Sequence, residues 1–77
     1  MSTRIEQVYA YVLVDPKDKT EGIPAFMSGQ GWLPMVGSDA ARMDSLRPHA
    51  EGIAKKHGVP IELVRFTNRE SVEVIQP

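Results

Sequence analysis

The run Ile5-Glu-Gln-Val-Tyr-Ala-Tyr-Val-Leu-Val-Asp15 constrains the fold of this chain more than any other stretch. It is rich in β-branched and aromatic residues, and its apolar side chains fall at both parities of a strand. Alternation puts Val8, Ala10, Val12 and Val14 on one face and Tyr9, Tyr11 and Leu13 on the other. A strand that is apolar on both faces belongs inside a sheet, so the rest of the chain has to supply flanking strands and a covering layer. Asp15-Pro16 ends the run, and Pro-Lys-Asp-Lys-Thr-Glu-Gly at 16–22 reads as a solvated loop.

Residues 21–37 combine apolar composition with turn chemistry and contain no cationic residue. They hold the only tryptophan, one of the 2 phenylalanines, two of the 4 methionines and four of the 6 glycines. They read as a short hairpin, Ile23 to Ser28 and Trp32 to Val36, around Gly29-Gln30-Gly31. A type II′ turn with glycine at its first central position fits, and a three-residue loop with glycine is the alternative. Pro24 and Pro34 cannot donate to a ladder, which places them at strand ends, bulges or outward edges.

Ser38 and Asp39 are helix N-caps. Met43, Leu46, Ala50, Ile53, Ala54 and His57 then recur at helical spacing and form one stripe about 100° wide. Pro48 lies within this region, where a proline removes a backbone hydrogen bond and costs about 3 kcal/mol. The expectation is a short helical turn near 39–45 and a main helix to His57, with a kink or break between them. Gly58 and Pro60 end the helix. Ile61 to Thr67 is a second strand, and Ser71 to Gln76, where Val72 and Val74 alternate with Glu73, reads as a further strand or a short terminal helix.

The predicted fold is α+β. A small, mostly antiparallel sheet carries one amphipathic helix on one face, in the order β-β-β-α-β(-β). A chain of 77 residues fits one domain, and at this size only roughly 60% of the unfolded surface is buried. The absence of cysteine excludes disulfide staples, so self-association is a physical route to further burial. One helix covers one sheet face. The uncovered face, bearing either Tyr9, Tyr11 and Leu13 or their opposite neighbours, calls for a partner.

Acidic and basic residues number 10 and 9 and are interspersed, which argues against nucleic acid as a partner. No apolar run approaches the ~18 residues of a membrane span and the opening residues do not match a secretory signal, so the expectation is a soluble, cytoplasmic protein. Phosphate-loop, nucleophile-elbow, zincin, calcium-loop and dinucleotide spacings are all absent, and no cofactor or metal site is expected. An acid–base site assembled from distant residues stays open.

Two functional readings follow. The first is a non-enzymatic interaction module that self-associates or binds a protein, with Phe26, Met27, Trp32, Leu33, Met35, Tyr9 and Tyr11 as interface candidates, because tryptophan, tyrosine and methionine suit interface centres. The second is a small-molecule or catalytic site between hairpin 23–36 and helix 39–57, with His49, His57 and Arg65 as polar contacts. His49 and His57 lie two turns apart, ~12 Å along the helix, too far to share one metal.

Overall fold

A computed structural model describes residues 4–77. The chain runs β1 (Val8–Val14), β2 (Glu21–Gly22), β3 (Ala25–Ser28), β4 (Gly31–Pro34), β5 (Val36–Gly37), α1 (Ala40–His57) and β6 (Ile61–Phe66). The architecture is α+β, with antiparallel sheets and one helix, as the sequence pattern predicts.

β1 is the central strand. Along one edge it pairs with β6, from Val8 opposite Phe66 to Leu13 opposite Ile61. Its other edge is shared: β2 takes Leu13 and Val14, and β5 takes Tyr9 and Ala10. Between these two pairings the Tyr11 amide donates to the Met35 carbonyl at 3.1 Å. Both β5 and β6 are antiparallel to β1, so they run parallel to each other and α1 crosses over β1 to connect them.

The prolines explain why the second edge is divided. Pro24 separates β2 from β3, and Pro34 ends β4, so the intervening chain leaves β1 and pairs with itself as the β3–β4 hairpin. Met35 N–H donates to the Pro24 carbonyl at 3.1 Å and closes the base of this hairpin. The positive φ falls on Gly31, at 101°, and not on Gly29. The loop therefore has its glycine at the end and is not the type II′ turn.

The helix begins where the sequence places it. The Asp39 carboxylate accepts from the Arg42 amide at 2.8 Å, and Gly58 closes the far end in the left-handed region at φ 65°, with Val59 N–H bonded to the Ala54 carbonyl. The expected break at Pro48 does not occur, and α1 is continuous from Ala40 to His57. Asp44 and Pro48 both lie on the exposed side, where water can serve the carbonyl deprived of its partner. Met43 and Leu46 before the proline and Ala50 after it are all buried. Burying a Met or Leu side chain contributes about 1.5–3 kcal/mol, enough to hold one helix across the proline.

The core is Tyr11, Met35, Met43, Leu46 and Ala50, with Tyr9, Phe26, Ile53 and Ile61 packed around it. Tyr11 Oη donates to the Met43 carbonyl at 2.9 Å. This contact identifies the Tyr9, Tyr11 and Leu13 face of β1 as the one beneath the helix. The other face, formed by Val8, Ala10, Val12 and Val14 with Val36, Glu62, Val64 and Phe66 beside them in register, carries no helix; Ala10 and Val12 are nevertheless buried within it, Val8, Val36 and Val64 are half-buried, and Val14 and Phe66 are exposed. Helix and sheet approach closely at Gly37, where an added Cβ would lie 2.7 Å from Arg42 Cγ and 2.9 Å from Met43 Sδ.

Beyond Phe66 residues 67–77 form neither the expected strand nor a helix. In the loop after β1, the Thr20 hydroxyl donates to the Asp18 carboxylate at 2.7 Å and the Thr20 amide does so at 3.0 Å. These bonds, the hydroxyl foremost, hold the Asp18 carboxyl below the usual aspartate range.

Three outcomes test this description. Tyr11→Phe lowers stability in urea by about 1 kcal/mol with an unchanged m-value, the net worth of one buried hydrogen bond. Pro48→Ala raises it by about 2 kcal/mol, the propensity gain less the entropy regained by the unfolded chain. Thr20→Ala moves the Asp18 titration upward by NMR. Because the folded value lies below the unfolded one, Asp18 contributes stability above its unfolded pKa and loses it as pH falls through the folded one, and this acid-side loss shrinks in the variant.

Candidate functional site

Register and alternation give the β3–β4 hairpin two different faces. Met27 stands directly opposite Trp32, and Phe26 opposite Leu33. Phe26 and Leu33 point inward and are half-buried. The Phe26 ring stacks on His49 of α1 with centroids 4.7 Å apart and an interplanar angle of 25°, which anchors a two-stranded hairpin that would be marginal by itself. At the tip, Ser28 Oγ donates to the Gly31 carbonyl at 2.9 Å and accepts from the Gln30 amide at 3.0 Å.

The outer face carries Ala25, Met27, Trp32 and Pro34, all exposed, with Ile23 leading into it. Trp32 is 67% exposed and Met27 58% exposed. From Gly22 to Ser38 the chain has no charged side chain, so this apolar face lies within an uncharged stretch of chain. A rigid indole beside an adaptable thioether on a strand pair gives large contact area with few rotatable bonds to immobilise. What such a surface can do is dock against another apolar surface. It carries no group that could act as acid, base or nucleophile.

The interface candidates named from the sequence thus divide. Trp32 and Met27 form the outer face, Phe26 and Leu33 brace it from within, and Tyr9 lies half-buried beside the core. Tyr11 and Met35 are in the core itself, Met35 with 0% of its surface exposed. Ala25, Pro34 and Ile23 were not named from the sequence. Their period-two relation to Met27 and Trp32 was the available signal.

The residues of the small-molecule reading are placed apart. His49 is engaged by the Phe26 stack between hairpin and helix, and His57 is exposed in the last helical turn beside Lys55 and Lys56, where cations suit the helix dipole. Arg65 is exposed and stands opposite Tyr9. Two open clefts occur elsewhere. One of about 560 Å³ lies between residues 4–8 and 66–70, and another of about 390 Å³ lies beside Val12, Val14, Glu21, Pro60, Ile61 and Glu62. None of His49, His57 and Arg65 lines either. Among the described residues, no three His, Asp or Glu side chains converge as metal ligands, and no helix is long and apolar enough to cross a membrane.

Comparison with known proteins found no matching family model, no matching curated protein and no matching solved structure.

The two hairpin faces differ in their expected response to truncation. Trp32→Ala changes folding stability by no more than about 0.5 kcal/mol, whereas Phe26→Ala costs about 2 kcal/mol. Urea denaturation measures both, and the reverse order would mean that Trp32 is the packed residue.

Proposed function

We propose that this chain is a non-enzymatic interaction module that binds a protein partner, or a second copy of itself, through the outer face of the β3–β4 hairpin and the sheet face opposite the helix. The observation that carries this reading is the pairing of Trp32 with Met27 on a solvent-facing, uncharged surface. A small domain gains by burying its only tryptophan, and this one presents it outward, anchored from behind by Phe26 and His49. Tryptophan at the centre of an apolar patch is a typical source of binding energy in protein interfaces. The sheet face opposite the helix supports the same reading at its ends, where Val14 and Phe66 are exposed.

Binding through this patch depends little on salt, because no charged side chain lies between Gly22 and Ser38. Trp32 fluorescence is the direct probe. In the dilute chain it is open to an aqueous quencher, and on association its emission shifts to the blue and quenching is lost. Trp32→Ala combined with Met27→Ala weakens association by about thirtyfold, matching a hot-spot loss of about 2 kcal/mol, with folding unchanged. A chain that sediments as a strict monomer at micromolar concentration, with Trp32 already shielded from the quencher, overturns the proposal.

A further inference from the structure

The folded chain exposes more surface than its mass requires. Its accessible area is 6392 Å² at 8.6 kDa, against about 4,700 Å² for a folded monomer of this size. The excess of roughly 1,700 Å² is about twice what one partner contributes to a standard interface. The radius of gyration, 14.5 Å, likewise exceeds the roughly 11.5 Å of a compact chain of this length.

Two features of the exposed surface are related to one another. In the 67–77 segment Val72, Val74 and Ile75 are 89%, 71% and 85% exposed. The outer edge of β6 is also open, since among the described residues β6 pairs only with β1. Such an edge is a template for one more strand.

The two features match in sequence. If 71–76 is laid antiparallel along β6 with Val74 opposite Val64, then Val72 meets Phe66, Ile75 meets Leu63 and Glu73 meets Arg65. Parity is preserved, so Val72 and Val74 extend the valine face while Glu73 and Ile75 extend the helix-covered face. A slip of two residues either way separates Glu73 from Arg65, and a slip of one exchanges the faces. Only one register pairs apolar with apolar and acid with base throughout.

The chain is poorly suited to making this pairing with itself. The return loop would be Asn68-Arg69-Glu70, which puts Glu70 at the end of a three-residue loop, where a left-handed residue, usually glycine, is needed. The segment instead continues past β6, and Arg69 Nη1 reaches the Ile5 carbonyl at 3.5 Å, alongside the residues preceding β1. We propose that segment 71–76 adds as a strand to the β6 edge of a second copy of this chain, and receives that copy's segment in return. The product is a two-fold, strand-exchanged dimer with a self-complementary interface. This inference uses a different surface from the Trp32 hairpin and stands independently of it.

Charge reversal tests it, read by sedimentation equilibrium of the full chain. Arg65→Glu and Glu73→Arg each place like charges opposite one another and weaken dimerisation at least tenfold. Mixing the two variants restores it, because in a strand-exchanged heterodimer each segment then meets an opposite charge on the other chain. Both positions are exposed, so circular dichroism of each variant matches the parent. Ending the chain after Glu70 abolishes dimerisation, whereas Trp32→Ala leaves this dimer intact. The proposal is overturned if the parent chain is monomeric, if the single variants dimerise as the parent does, or if mixing restores nothing. In that last case, a double variant that is monomeric yet more stable than either single one would show the segment returning to its own β6.

Discussion

The hydroxyl of Tyr11, given to the Met43 carbonyl from the middle of β1, joins the central strand to the helix, and the rest of the fold is arranged around it. The same residue's amide binds Met35, so one position links β1, the return from the hairpin and α1. Tyrosine suits this place because its ring adds apolar area to the core while its polar tip is satisfied without water. With Met35, Met43, Leu46 and Ala50 around the ring, the core cluster is small and lies on the helix side of the sheet, while Ala10 and Val12 are buried on the other.

That one-sidedness determines what the surface offers. A single helix shields the tyrosine face of β1, so the outer hairpin face, the open edge of β6 and the exposed Val14 and Phe66 of the opposite sheet face are left to solvent. The balanced charge of the chain, with acidic and basic residues interspersed, provides no electrostatic substitute for apolar contact. The proposed recognition rests on shape and burial, and its specificity on register and parity.

Much of the fold was legible in the sequence because the signals were local. Asp39 and Gly58 mark the helix ends by the bonds they make or the φ they adopt, and β1 and β6 declare themselves by composition. Pro48 misleads because the cost of a proline is local, whereas its compensation comes from Met43, Leu46 and Ala50 meeting a sheet formed by distant residues. The two faces of β1 are both apolar, so alternation separates them without saying which the helix covers. At the hairpin, alternation correctly separates Trp32 from Leu33 and Met27 from Phe26. Size alone would turn the tryptophan inward, and the choice of Phe26 instead depends on His49 lying across from it. Tyr11 and Met35 share the composition of an interface and belong to the core for the same reason: their partners are far away in the chain.

The bond between Met35 N–H and the Pro24 carbonyl brings the two ends of the hairpin together through backbone alone. Everything outward of it on the solvent side, Ala25, Met27, Trp32 and Pro34, contributes nothing to the core. The hairpin is thus a cassette carried on a scaffold. Its inner residues and its prolines fix how it is held, and the outward Ala25, Met27 and Trp32 are free to change without altering the fold that presents them.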